Sequence, residues 1–163
     1  MGVGFLAPRT GGANLFDPQA CRGVAGARET LEQGVEVVGL DNLNAYYDPA
    51  LKQARLAEID RVASRTGTAF HFVKADVADK AAVDACFAAH GFDRVIHLAA
   101  QAGVRHSIEA PGEYVSSNLV GFANILEACR NAGTAHLVYA STSSIAAQII
   151  RFSSMPQPNV PMN

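Results

Sequence analysis

Acidic side chains follow two apolar segments of this sequence at equivalent places. Asp41 comes directly after the apolar residues 35–40, and Asp76 with Val77 follows residues 70–73. A carboxylate at Asp41 can accept a hydrogen bond from the ribose 2′-hydroxyl of NAD and would repel the 2′-phosphate of NADP. A carboxylate at Asp76 can meet the exocyclic amine of adenine. Asp41 is equally suited to a turn or a helix cap.

Two later segments carry small and hydroxyl-bearing residues after apolar ones. Residues 98–103, Leu-Ala-Ala-Gln-Ala-Gly, would let a flat ring and a pyrophosphate approach the backbone closely. Residues 140–144, Ala-Ser-Thr-Ser-Ser, present several hydroxyls. Ligands of open parallel sheets bind outside the carboxyl ends of the strands. Four such segments in a row therefore favour a nucleotide site more than any one of them does.

The elements that must position these groups alternate along the chain. Short β-branched segments at 35–40, 70–73, 94–98 and 136–140 are separated by stretches of helical period. This alternation predicts an α/β fold with a doubly wound parallel sheet, Rossmann-like and incomplete. We expect the longest helical stripe to be buried and its helix to end at Gly133. The stripes are Leu56, Ile59 and Ala63; Val83, Phe87 and His90, after a capping Asp79; and Val115, Leu119, Phe122, Leu126 and Cys129.

The two ends of the chain lack this alternation. Residues 1–30 are rich in glycine and offer only residues 3–7 as a first strand, and residues 146–163 show no periodicity. We therefore expect a single dinucleotide-binding domain over residues 1–163, recognisable over about 31–145, with divergent, weakly structured flanks on both sides. Without a strand at 3–7 the sheet would lose a central member and leave an open apolar edge.

Composition excludes several classes of protein. The 163 residues suit one domain, and 49% hydrophobic against 17% charged residues are enough to bury a core. A net charge of −2 argues against nucleic-acid binding. There is no apolar run of about 18 residues and no signal peptide, so we expect no membrane span and a cytoplasmic protein. The three cysteines and five histidines show no spacing typical of a disulfide scaffold or a metal site.

Two longer motifs carry a resemblance to a known family. They are Asp-Asn-Leu-Asn-Ala-Tyr-Tyr-Asp-Pro at residues 41–49 and Ala-Gln-Ala-Gly-Val-Arg at residues 100–105. Both resemble the extended short-chain dehydrogenase/reductase enzymes that epimerise nucleotide sugars, and UDP-glucuronate 4-epimerases most of all. The resemblance covers about residues 31–145. It implies NAD as the cofactor, a UDP-sugar as the substrate and a homodimer as one form of assembly.

The resemblance also implies roles for individual residues. In such enzymes a tyrosinate takes the proton of the sugar 4-hydroxyl while NAD accepts the hydride, and Thr142, at the catalytic Ser/Thr position, would hydrogen-bond the same oxygen. Arg105 would lie near a sugar carboxylate or phosphate, or else at the surface. The cofactor-binding positions would be Asp41, Asn42 and Asn44 at the adenosine ribose, Asp76 and Val77 at the adenine, Leu98, Ala99, Ala100 and Ala102 along the dinucleotide, and Asn118 on the nicotinamide side.

The chain departs from the family pattern on both sides of these motifs. The phosphate loop of the family reads Gly-x-x-Gly-x-x-Gly. One alignment places Asn14 and Asp17 at the second and third glycines, whereas counting back from Asp41 places Gly23 at the third, with Asp17 and Ala20 at the first two. The Tyr-x-x-x-Lys pair that supplies the general base does not occur in the sequence.

Three interpretations follow. The first is the N-terminal, NAD-binding portion of a UDP-glucuronate 4-epimerase-like protein that is not catalytically competent alone. The second is a nucleotide-binding module, or the partner of a full-length subunit, without catalysis. The third is a truncated or frame-shifted remnant without function. Epimerase turnover by the chain would exclude the second and third, and we expect none to be detected.

Overall fold

Six strands form one sheet in the computed structural model, which describes residues 4–8, 23–46, 48–101, 104–140 and 148–151. The strands are β1 (Gly4–Pro8), β2 (Val37–Asp41), β3 (Phe70–Lys74), β4 (Phe92–His97), β5 (His136–Tyr139) and β6 (Gln148–Arg151). Their order across the sheet is β3-β2-β1-β4-β5-β6. The four segments predicted as strands are β2 to β5, with ends that differ by one or two residues.

The sheet is wound in two directions from its centre. β2 pairs with β3 and β4 pairs with β5 in parallel, and β1 lies antiparallel between β2 and β4. β2 to β5 therefore run in one direction and have their carboxyl ends at one edge. The predicted Rossmann-like α/β fold is confirmed. β1 and β6 are the two strands that run against the others.

β1 lies in the centre of the sheet, between β2 and β4. Without a strand there, the sheet would have an open apolar edge. β1 runs antiparallel to both neighbours, since Gly4 pairs with Leu40 near the carboxyl end of β2, and Pro8 pairs with Phe92 at the start of β4. The backbone groups of β2 and β4 are thus satisfied on both sides. The carboxyl end of β1, at Pro8, therefore lies at the edge of the sheet opposite to Asp41.

Helices cover both faces of the sheet. Val37 and Val38 point to opposite faces, as successive strand residues must, and each belongs to a different core cluster. The helices at residues 24–32 and 49–66 cover the Val37 face, and those at residues 80–90 and 121–132 cover the Val38 face. In the described part of the chain, no helix has the length and apolar character needed to cross a membrane. The helices are α1 (Val24–Glu32), α2 (Pro49–Thr66), α3 (Lys80–His90), α4 (Val104–Glu109), α5 (Pro111–Val115) and α6 (Gly121–Ala132).

The helices next to the carboxyl edge begin with aspartate caps. The side chain of Asp79 accepts a hydrogen bond from the backbone N–H of Ala82 at 3.1 Å, as the sequence predicted for α3. At the start of α2, Asp48 accepts from the N–H of Ala50 at 2.8 Å, and Pro49 occupies the first helical position. Each cap stabilises its helix by about 1 kcal/mol. The caps set where the loops after β2 and β3 end.

Helix α1 lies in a segment that the sequence analysis expected to be weakly structured. Over residues 24–30 that expectation is wrong, because Ala27 in this part and Leu31 just beyond it are buried against α2 and β2. The signal was weak because Gly26 and Thr30 are poor helix formers and no side chain caps the helix start. Contacts with the rest of the fold stabilise this helix, as they do most short helices.

The stripe predicted for the longest helix is buried only in its second half. Val115 is 48% exposed and Leu119 is 65% exposed, whereas Cys129 is fully buried. The reason is a π-helical segment, Ser116–Val120, between α5 and α6. Its wider turn shifts the phase of the side chains, so a constant period fails across it. The buried residues of α6 are Gly121, Asn124, Ile125, Ala128 and Cys129.

Candidate functional site

A small open cleft of about 40 Å³ lies at the carboxyl edge of β2, β3 and β4. Each strand leaves the sheet there, and its following loop contributes polar or small side chains. The cleft contains seven of the predicted cofactor-binding residues. It is lined by Leu40, Asp41, Asn42, Asn44, Tyr46, Lys52, Ala75, Asp76, Val77, Ala99, Ala100, Gln101 and Ser117.

Asp41 is the last residue of β2, and its carboxylate is buried. Its Oδ1 atom accepts a hydrogen bond from the backbone N–H of Leu43 at 2.6 Å and another from Nζ of Lys52 at 3.1 Å. The first of these bonds closes a turn in which Leu43 has φ of 53°, a conformation that few residues other than glycine adopt. The ion pair with Lys52 compensates the carboxylate for the loss of water. Asp41 is therefore held in one orientation.

Asn42 joins the loop after β2 to the loop after β3. Its Nδ2 atom donates to Oδ2 of Asp76 at 2.8 Å, and Oδ1 of Asp76 accepts from the N–H of Ala78 at 2.9 Å. The side-chain oxygen of Asn42 also accepts from the N–H of Asn44 at 3.0 Å. This bond between Asn42 and Asp76 ties the two predicted adenosine loops to each other.

Small side chains form the third wall of the cleft. Ala99 and Ala100, after β4, line it, whereas the half-buried Leu98 before them does not. A flat ring can approach the backbone closely at two alanines. Ala102, predicted to lie along the dinucleotide, and Thr142, predicted to act in catalysis, lie outside the described residues.

Asn118 contacts the backbone of this wall. Its Oδ1 accepts from the N–H of Gln101 at 2.8 Å, and its Nδ2 donates to the carbonyl oxygen of Gln101 at 3.0 Å. This pair of bonds uses both ends of the amide, so Asn118 fixes the loop after β4 rather than lining the cleft. The π-helical segment carries it, and such segments are often found at functional sites.

Two residues of α6 hold the loop after β3 and were not predicted from the sequence. The buried Asn124 donates to the carbonyl oxygens of Val77 at 2.9 Å and Ala78 at 3.1 Å. At Gly121, an added Cβ would lie 2.6 Å from Cγ2 of Val77, so only glycine allows this approach. An asparagine and a glycine within a helical stripe are the signals that could have revealed this contact.

Lys52 is the third residue that the sequence analysis missed. It is 7% exposed, and its Nζ also donates to Oδ1 of Asn44 at 3.2 Å.

Arg105 does not line the cleft. Its side chain is 92% exposed and forms an ion pair with Glu109 at 3.2 Å. Of the two alternatives for Arg105, the surface position is the one observed.

Three buried titratable groups that do not line the cleft are electrically neutral. Burial lowers the pKa of His97, at the end of β4, to about 4. Burial also raises the pKa of the Cys86 thiol to about 11 and that of the Cys129 thiol to about 12. None of these groups is charged near pH 7. Within the described cleft the charges are the carboxylates of Asp41 and Asp76 and the ammonium of Lys52.

The start of α1 bears on the two alignments of the glycine loop. Gly23 is the N-cap of α1 and has φ of 59°, which favours glycine. Because α1 leads back to the amino end of β2, its own start lies toward the carboxyl edge. These features favour the alignment with Gly23 at the third glycine. Residues 9–22, which hold the other glycine-loop positions, lie outside the described residues.

The chain matches known proteins over most of its length. Residues 21–159 match the model of a family described as NAD dependent epimerase/dehydratase. The chain is 45% identical to UDP-glucuronate 4-epimerase 3 of Arabidopsis thaliana over 114 residues, which are 69% of this chain and 25% of that protein. It is 44% identical to the UDP-glucuronate 4-epimerase of Thermodesulfobacterium geofontis over 117 residues, 72% of this chain and 35% of that protein.

A solved structure matches the same part of the chain. It is the UDP-glucose-4-epimerase of Stenotrophomonas maltophila with bound NAD and formylated UDP-arabinopyranose, with a TM-score of 0.58 and 32% identity over 74% of this chain and 34% of that one. The chain therefore spans at most about a third of the length of these relatives. The resemblance to nucleotide-sugar epimerases is confirmed, and NAD, the expected cofactor, is that of the family and of this complex.

Proposed function

The chain belongs to the NAD dependent epimerase/dehydratase family, and on this premise we propose that it is the NAD-binding portion of a UDP-glucuronate 4-epimerase-like protein. The observation that carries the proposal is the cleft, where Asp41, Asn42, Asn44, Asp76 and Val77 converge from two strand ends. Their donors and acceptors suit an adenosine. Asp41 would accept from the ribose, and Asp76 would lie beside the adenine.

The residues present fit the adenosine half of NAD. The carboxylate of Asp41 is already oriented, so little ordering is required on binding. Ala99 and Ala100 would let the dinucleotide pass close to the backbone, and Asn118 would hold their loop in place through Gln101. The uncapped N–H groups at the start of α1, beside Gly23, would suit the pyrophosphate. When bound, NAD would accept a hydride from the sugar and return it.

We do not expect this chain alone to catalyse the epimerisation of a UDP-sugar. Thr142 would hydrogen-bond the sugar 4-hydroxyl, but a threonine hydroxyl does not replace a tyrosinate base at neutral pH. The Tyr-x-x-x-Lys pair does not occur among the 163 residues. We therefore expect the chain to bind NAD without converting UDP-glucuronate. The second candidate is a nucleotide-binding module or partner subunit without catalysis, which the same cleft would serve.

Calorimetric titration with NAD tests the proposed site. We expect NAD to bind and the Asp41→Ala variant to bind at least about tenfold more weakly, because a hydrogen bond to a charged group contributes about 1.5–3 kcal/mol. Asp60→Ala, at an exposed position of α2, is the matched control and should bind as the wild type does. Far-UV circular dichroism must show that both variants are folded. No heat of binding with millimolar NAD would refute the proposed site.

Two further measurements test whether the chain catalyses the reaction alone and whether it has a stable fold. Chromatography of UDP-glucuronate incubated with the chain and NAD should show no epimerised sugar, and a product peak would prove the chain competent alone. A cooperative thermal transition is expected for a folded NAD-binding portion. A remnant without a stable fold would unfold without one.

A further inference from the structure

Lys52 lies where a positive charge is costly. It is 7% exposed, and removing an ammonium from water costs several kcal/mol unless a partner compensates. It also lies in the first turns of α2, which begins at Pro49 after the Asp48 cap. The helix macrodipole disfavours a cation at that end. Burial and position therefore both call for a specific partner.

The partners are two residues of the loop after β2. Nζ of Lys52 lies 3.1 Å from Oδ1 of Asp41 and 3.2 Å from Oδ1 of Asn44. Oδ1 of Asp41 also accepts from the N–H of Leu43 at 2.6 Å. In the described residues both of these donors meet the same oxygen, and no hydrogen bond is made to Oδ2 of Asp41.

We propose that Lys52 is a positioning residue for ribose recognition. By engaging Oδ1 of Asp41, it leaves Oδ2 as the acceptor for the adenosine 2′-hydroxyl. It also holds the side-chain oxygen of Asn44 and so fixes the far end of the same loop. The inference rests on the proposed function, since it assigns the means by which Asp41 would recognise the ribose.

A purely structural role for Lys52 makes a different prediction. An ion pair that only stabilised the loop would affect all nucleotides alike when it is removed. A positioning residue affects those with a 2′-hydroxyl more than those without it. The informative quantity is therefore the affinity ratio between NAD and its analogue with 2′-deoxyadenosine, measured for each variant.

The experiment is a titration of the full chain with NAD and with this 2′-deoxy analogue. We expect the wild type to prefer NAD at least about tenfold, as for a hydrogen bond to a charged acceptor. The ratio should fall below about threefold in Lys52→Met and return toward the wild-type value in Lys52→Arg, which keeps the charge. Lys80→Met removes an exposed lysine of α3 and should keep the wild-type ratio.

The possible outcomes separate the two proposals. If the wild type binds neither nucleotide, the proposed function fails and the role of Lys52 fails with it. If the wild type prefers NAD and Lys52→Met keeps that preference at weaker affinity, only the role of Lys52 is refuted. Should Lys52→Met not fold, Lys52→Ala provides the same test, because it also removes the donor to Oδ1 of Asp41. A ratio in that variant equal to the wild-type ratio would overturn the inference.

Discussion

His97 makes the stability of this fold depend on pH in a way that can be measured. It is the last residue of β4, it is buried, and its ring stacks on that of Phe122 with centroids 5.5 Å apart. Burial disfavours the charged imidazolium and lowers the pKa to about 4 from the ordinary 6.5. His97 is therefore neutral in the folded chain at pH 7.

The sign of the effect follows from the direction of this shift. Below pH 6.5 the unfolded chain binds a proton at His97 while the folded chain does not, so acid favours unfolding. The loss begins near pH 6.5 and is nearly complete at about pH 4, where the folded chain is also protonated. A gap between 6.5 and about 4 corresponds to a loss of about 3 kcal/mol over this range.

Urea unfolding of the wild type and of His97→Phe at pH 7 and pH 4 measures this contribution. The phenylalanine keeps a ring against Phe122 but takes up no proton. We expect His97→Phe to lose about 3 kcal/mol less stability than the wild type between the two pH values. His71→Phe, on a half-exposed side chain of β3, is the control. An equal loss in the wild type and in His97→Phe would refute the reasoning.

Three further predictions concern the packing behind the cleft. Gly121→Ala should lower the free energy of unfolding by about 1–3 kcal/mol, because the added Cβ would overlap the side chain of Val77. Gly112→Ala is the control, because a Cβ there meets open space and should not destabilise the fold. Urea unfolding of the two variants compares them. Asn124→Ala should cost about 1–3 kcal/mol by leaving buried carbonyl groups without their donor, and an unchanged urea midpoint would contradict this. Cys86 and Cys129 should react with iodoacetamide at pH 8 only after unfolding, which peptide mass mapping can follow.

The strand ends of the cleft could be predicted because their physical rule is local. Apolar segments of this length are strands, and parallel strands bring their carboxyl ends to one edge. Asp41, Asp76, Ala99 and Ala100 therefore came together as expected. The direction of β1 could not be predicted in this way, since side-chain alternation is the same in both directions along a strand.

Residues that act across the fold were harder to identify from the sequence. Lys52 contacts a carboxylate eleven residues earlier in the chain, and Asn124 contacts carbonyl groups more than forty residues away. Neither spacing follows a helical or strand period. Val115 and Leu119 were assigned to the core by a period that the π-helical segment interrupts. Asn118 lies in that segment and holds Gln101, a contact that depends on the folded loop.

A crystal structure of the chain grown with NAD tests the central claim most directly. We expect the adenosine ribose within hydrogen-bond distance of Oδ2 of Asp41 and the adenine beside Asp76, with Nζ of Lys52 still hydrogen-bonded to Oδ1 of Asp41. Nucleotide bound at another surface, or a cleft that stays empty at saturating NAD, would contradict the assignment of this edge of the sheet as the cofactor site.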